Sequence, residues 1–255
     1  MPQAGGWRRL CGAVGLLVSV AVQAPVALPD WVDARQHQAF WLWSGVRPQP
    51  VMREATTLYL LQGEIRAPAA GQPATLVARG VQPVALSVPT LWLSYRVAAL
   101  EWSPVVLSQL LTQWRHWRAL GNHVAGIQID FDAATPKLAH YADFLRQLRQ
   151  QLPAECGLSI TGLLDWSARG DVAVLNGLRG VVDELVVQTY RGRTTEPGYH
   201  AYLPALARLQ IPFRIGLVQY GAWDRSWLPR LAQMPAYRGS VVFLLNPPGQ
   251  RNGEI

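Results

Sequence analysis

The sequence predicts an α/β fold, a (β/α)8 TIM-type barrel that is irregular in its first third and lacks a full eighth helix. Three observations predict it. From Val81 onward, short apolar β-branched runs alternate with helical patterns, which is the signature of a parallel sheet covered by helices. Two earlier runs bring the strands to eight, the number that closes a barrel. No glycine-rich phosphate turn marks the nucleotide crevice of an open doubly wound sheet.

Taken in order, AFWLWSG (39–45) and TLYLLQG (57–63) are the first two strands and PVALSV (83–88) the third. Residues 46–56 are too few for a full first helix, and 64–80 is punctuated by Pro and Gly, so the early returns are expected to be irregular. The run 104–120 predicts a helix with Val106, Leu110, Trp114 and Trp117 on its buried face. HVAGIQIDF (123–131) is the fourth strand, and the helix at 135–152 follows it. That helix has the clearest signals: Thr135 as its cap, Pro136 in its first turn, and a stripe of Leu138, Tyr141, Leu145, Leu148 and Leu152. GLSITGLL (157–164), ELVVQTY (184–190), FRIGLVQY (213–220) and SVVFLLN (240–246) complete the strands. Between them lie a short helix at 171–180, a weaker one near 199–209 and one turn near 226–234. Only nine residues follow Asn246, so the expectation is either that the last strand has other cover, for which the N-terminal segment is the candidate, or that the chain is cut short.

The opening residues place Arg8 and Arg9 before an apolar run from Leu10 to about Val22, with small residues around Ala24 and Ala27. This is the order of a secretory leader, and the run is short for a hydrocarbon core of ~30 Å. The expected organisation is a signal peptide over 1–24, an N-terminal segment over 25–37, and one barrel domain over 38–255. The expected location is periplasmic or secreted; an uncleaved leader would make an N-terminal membrane anchor. Without the leader Cys156 is the only cysteine, so the core carries the stability unaided by an intrachain disulfide. The formal charge is +7, and Lys137 is the only lysine among the 23 basic residues. The arginines are scattered rather than set in a stripe, which argues against nucleic acid and for a solvated surface with some affinity for anionic envelope polymers.

In a parallel barrel, chemistry sits at the carboxyl ends of the strands. In the fourth strand Gln128, Asp130 and Asp132 alternate with apolar residues, so a period of two puts them on one face. Two carboxyls that close resist double ionisation, which raises one pKa and prepares a proton donor; the same pair could also ligate a hard cation. Gln188 and Tyr190 share a face at the end of the sixth strand, Asp165 and Trp166 end the fifth, and Gln219 and Tyr220 end the seventh. Of adjacent residues only one looks into the mouth. Trp41 and Trp43 share a face of the first strand. Polar tips beside aromatic planes suit a sugar, whose hydroxyls want hydrogen-bond partners and whose C–H faces stack on rings. His37, His116, His123, His140 and His200 lack metal-ligand spacing, and neither a nucleophile elbow, a dinucleotide fingerprint nor a P-loop is present, so no metal or cofactor is expected.

At AFWLWSGV, GIQIDFDAATPKLAHYADFLRQLRQQLP, LSITGLLDW and ELVVQTYRG the sequence resembles domain-of-unknown-function family 3142, bacterial exported proteins, over residues 39–192. A more distant resemblance is to the family-18 glycoside hydrolases, the chitinase-like barrels. Their fourth strand carries Asp-Gly-x-Asp-x-Asp-x-Glu, and AGIQIDFD sets Ala125 at the first Asp, Gln128 and Asp130 at the next two, and Asp132 at the Glu. Gln188 to Arg191 align with Met-x-Tyr-Asp of their sixth strand, and IGLVQYG and GSVVFLLN with their seventh and eighth.

This resemblance implies Asp132 as general acid, Asp130 as the partner orienting a substrate 2-acetamido nucleophile, and Tyr190 as a donor to the cyclic intermediate. Asp132 is one methylene shorter than Glu, and Arg191 replaces an acid. The expected function is a glycoside-hydrolase-like protein acting on an envelope or extracellular polysaccharide. The alternative is a non-catalytic glycan-binding barrel working with an unidentified envelope-associated partner protein. Gln128, Gln188, Arg191, Asp165, Trp166, Trp43 and Tyr220 are the candidate substrate contacts.

Overall fold

The computed structural model describes residues 30–67 and 72–247, so the leader expected over 1–24 lies outside the described residues. Eight strands are all parallel and each pairs with the next: β1 (Ala39–Leu42), β2 (Thr57–Arg66), β3 (Thr90–Val97), β4 (Val124–Asp130), β5 (Gly157–Leu163), β6 (Glu184–Gln188), β7 (Phe213–Val218) and β8 (Tyr237–Phe243). Pairing of β8 with β1 and of β1 with β2 closes the barrel.

The third strand is a correction to the sequence reading. Residues 83–88 form no strand, and Thr90–Val97 takes the place in the barrel. That run alternates: Leu91, Leu93, Tyr95 and Val97 join the outer core, while Trp92 packs in the barrel interior. The Pro-punctuated stretch after β2 is irregular as expected, with one ordered return in which Thr75–Ala78 pairs antiparallel with the end of β2.

Helix α1 (Pro104–Ala119) buries the four predicted residues, and the Trp117 indole donates to Gln62 Oε1 at 2.7 Å. Helix α2 (Leu138–Gln151) buries the predicted stripe, ending with Leu152 just past its last turn. Its cap differs from the expectation. A 3-10 turn over Thr135–Lys137 precedes it, and the Thr135 hydroxyl donates to Asp165 Oδ2 at 2.6 Å instead of accepting from the helix. Between β5 and β6 lie α3 (Leu164–Ala168) and α4 (Val172–Asn176), the latter capped by Asp171, which accepts from the Ala173 amide. The last two returns shrink to 3-10 turns over 199–208 and to α5 (Trp227–Ala232).

The N-terminal segment is built into the barrel. Asp30–Trp31 pairs antiparallel with Ala222–Trp223 after β7, and Val32 and Ala34 are buried in the outer core. His37 meets the Ser240 hydroxyl of β8 at 2.8 Å. Among the described residues no helix is long and apolar enough to cross a membrane.

The barrel interior is filled, not hollow. Trp92 and Tyr59 stack at 6.3 Å with an interplanar angle of 6°, Trp41 packs on Tyr59 at 5.6 Å, and Tyr190 meets Trp41 edge-on at 6.4 Å. These rings fit because small residues face them. A Cβ on Gly216 would stand 2.9 Å from the Trp41 ring, and one on Gly157 2.8 Å from the Trp92 ring. Polar groups in this interior are satisfied by one another, as burial demands. Gln128 Oε1 accepts from the Trp41 indole at 2.7 Å and from Ser94 at 2.8 Å, while Gln128 Nε2 donates to Ser159 at 3.0 Å. Deeper, Glu184 accepts from Tyr59 at 2.5 Å and pairs with Arg214 at 2.7 Å.

Candidate active site

A cavity of about 700 Å³ opens at the carboxyl ends of the strands, within the range of small-molecule sites. Its lining comes from β1, β3, β4, β5, β6 and β8 and the loops that follow them. Asp130, Asp132, Tyr190, Gln188, Arg191, Asp165 and Trp43 all reach it, so seven of the residues singled out from the sequence converge on one space.

Asp130 ends β4 and is half-buried. Thr161 Oγ1 donates to its Oδ1 at 2.7 Å, and Gln188 Nε2 reaches the same oxygen at 3.5 Å. The Asp130 carboxyl is pushed up from the ordinary 3.8 to about 6, by burial first and with the nearby Asp132 charge adding to it, against the opposing Thr161 hydrogen bond and Arg96. Asp132 stands in the loop past the strand end and is exposed. The Tyr190 hydroxyl is held well above the usual tyrosine range, by burial first and then by the two aspartates, so it is a hydrogen-bond donor at any physiological pH. Its ring rests between Trp41 below and Phe243 at 5.6 Å.

Beyond Tyr190 the chain turns back in a tight hairpin, Tyr190–Arg191 against Thr194–Thr195, with Gly192 at φ 58° supplying the left-handed position such a turn needs. The hairpin brings Arg191, Arg193 and Glu196 over the cavity, and Arg191 pairs with Glu196 at 3.4 Å. Trp43 lies half-buried in the wall against Phe243 at 5.6 Å, leaving ring surface free for stacking.

Three expected contacts fall outside the cavity. Gln128 is fully buried one step below Asp130, with both ends of its amide consumed by the interior network, so it supports the site and does not touch its contents. Trp166 sits on α3, not on a strand; the helical turn swings it under the loop after β4, where its indole donates to Ala133 O at 2.9 Å and its side chain is 1% exposed. Tyr220 takes φ 67°, a left-handed turn whose amide pairs with Val32 O, and this turns its ring outward. Its neighbour Gln219 is committed to Gln49 and the Leu245 amide.

Sequence reasoning missed Arg96, Thr161, Arg169 and Arg193. Arg96 was hidden by the misplaced third strand. Thr161 was legible, because it lies two residues on from Ser159 in a strand whose other face is Leu158 and Ile160. Arg169 and Arg193 sit on loops, where no periodicity points inward.

The fold is shared with solved structures. A xylanase and α-amylase inhibitor protein, XAIP-I, described in complex with trehalose, is 12% identical with a TM-score of 0.50, the match covering 81% of this chain and 92% of that one. The related XAIP-II from Scadoxus multiflorus is 13% identical over 81% of this chain and 92% of its own, with a TM-score of 0.49. The chitinase domain of the spore coat protein CotE from Clostridium difficile is 12% identical over 76% of this chain and 66% of its own, with a TM-score of 0.46. At such identities the likeness is one of fold alone, a closed parallel barrel with flanking helices. No curated protein matches the chain in sequence. Residues 87–223, more than half of the chain, match the model of a domain of unknown function, DUF3142, and the chain belongs to that family.

Proposed function

We propose that this barrel is a glycoside-hydrolase-like protein acting on an envelope or extracellular polysaccharide. The observation that carries the reading is the convergence of Asp130, Asp132 and Tyr190 on one open cavity with an aromatic wall. The expected leader supports an extracytoplasmic polymer as substrate. A protein of the same fold described in complex with trehalose supports a sugar as occupant.

Asp132 is the general acid that gives a proton to the bridging oxygen as the glycosidic bond breaks. Its place on a loop frees its reach from strand register, which offsets the side chain being shorter than Glu. Asp130, fixed by Thr161 and Gln188, orients the group that attacks the anomeric carbon. The Tyr190 hydroxyl donates a hydrogen bond that holds the attacking group in line with the anomeric carbon, and water then displaces that group from the carbon while its proton restores Asp132. Replacing Asp132 with Asn is expected to cut turnover by roughly 10²–10⁴-fold. Folding, read by the urea midpoint, and oligosaccharide affinity, read by calorimetry, should change little. Hydrolysis at the wild-type rate in that variant removes the role.

A second reading is favoured by one observation. Asp132 is exposed and a methylene short of the family-18 acid; on this second reading hydrolysis is lost and the protein is a glycan-binding barrel of an envelope assembly. Oligosaccharide binding without cleavage on the same panel selects this reading.

A further inference from the structure

The walls of the cavity are unusually rich in guanidinium groups. Arg96 ends the inward row of β3, Arg169 follows α3, and Arg191 and Arg193 come from the hairpin after β6, so three separate segments each send arginine to one mouth. All four are exposed. Arg191 alone has an acidic partner among the described residues, Glu196. Arg169 lies with its guanidinium carbon 5.7 Å from the centre of the Tyr202 ring and makes no ion pair among the described residues. Arg193 makes one long bond, 3.4 Å to the Asn246 carbonyl, which uses one of five N–H groups. Arg96 stands beside Asp130 in the β3–β4 register without forming an ion pair to it.

The acids in the same cavity are spent differently. Asp130 accepts from Thr161 and Gln188, and Asp165 accepts from Thr135, so two of these carboxylates are occupied by neutral donors of the protein. Four arginines and four carboxylates line the cavity, so its formal charge balances, but among the described residues only Arg191 and Glu196 of these are joined in an ion pair, and the other three guanidinium groups are left to meet what enters. Forked donors at the rim, anchored by a ring or a backbone oxygen, are suited to planar or tetrahedral anions in bidentate contact.

We infer that the saccharide taken by this cavity is acidic, with carboxylate, sulfate or phosphate groups on successive sugar residues meeting Arg96, Arg169 and Arg193 while a ring stacks on Trp43. This rests on the polysaccharide reading above and names the class of polymer.

The test is calorimetric titration of the full chain with three oligosaccharide panels of matched length: uronic-acid oligomers, sulfated oligomers and neutral oligomers. Poly-glutamate serves as an acidic polymer without sugar. The expected result is binding of an acidic panel, weakened by added salt, with neutral oligomers and poly-glutamate bound at least tenfold less well. Arg169→Gln and Arg193→Gln should each weaken acidic-panel binding by about tenfold, the scale of one charge-assisted contact. The uronate and sulfate arms identify which anion is read. Neutral oligomers bound as tightly as acidic ones overturn the inference and leave the polysaccharide reading standing. Unchanged affinity in both arginine variants, or poly-glutamate bound as tightly as sugar, overturns the inference as well. No saccharide bound in any panel overturns both.

Discussion

Asp130→Asn should make the protein more stable at neutral pH, and by an amount that depends on pH. The Asp130 carboxyl is raised from 3.8 to about 6, chiefly because burial disfavours its charged form. A folded-state value above the unfolded one means that the native protein resists losing the proton. The favourable contribution of this group is then complete below about pH 3.8 and is lost as pH rises through about 6. About two units correspond to about 3 kcal/mol at 1.36 kcal/mol per unit. Asparagine keeps the shape and the Oδ1 that accepts from Thr161, and it carries no charge to bury. The stability difference between variant and wild type should therefore grow by up to about 3 kcal/mol from acid to neutral pH. Urea unfolding of both proteins across that range, followed by tryptophan fluorescence, measures it; other titrating groups cancel in the difference. A difference that stays flat with pH, or shrinks as pH rises, refutes the claim that Asp130 is a desolvated carboxyl. The variant should at the same time lose glycan turnover, so stability and activity move in opposite directions at one residue.

Thr161→Val removes the hydroxyl that holds the Asp130 carboxyl down, so the pH limb assigned to Asp130 should move upward from about 6 in a pH–rate profile; an unmoved limb would show that the limb belongs to another group. Trp43→Leu should weaken oligosaccharide binding by roughly tenfold in calorimetry, the scale of one aromatic stacking contact, and undiminished affinity would place the sugar elsewhere. Gly216→Ala presses a methyl against the Trp41 ring at 2.9 Å and should cost about 1–3 kcal/mol in urea unfolding; wild-type stability would mean that the ring has room to move.

How much of this was legible in the sequence follows from where periodicity applies. Seven barrel strands and both long helices were readable, since the strands are short, turn-bounded apolar runs buried on both faces and the helices bury a stripe of period 3.6. The third strand was misplaced because PVALSV and TLWLSYRV are neighbouring apolar runs, and only the second alternates over a full strand length. The acids of β4 and Tyr190 were legible because strand ends define a barrel mouth. Depth along the strand was not. Gln128 and Asp130 share a face, yet a single two-residue step separates a sealed interior from an open cavity. Trp166 and Tyr220 were misjudged because the strand had already ended at each, in a helical turn for one and a left-handed turn for the other.

The column of rings beneath the mouth makes the barrel a blind cup. A polymer cannot run down the axis, since Trp41, Tyr59 and Trp92 occupy it. On the polysaccharide reading, a long chain would have to lie across the rim rather than thread the barrel. Whatever enters must leave by the way it came, past the hairpin that carries Arg191 and Arg193.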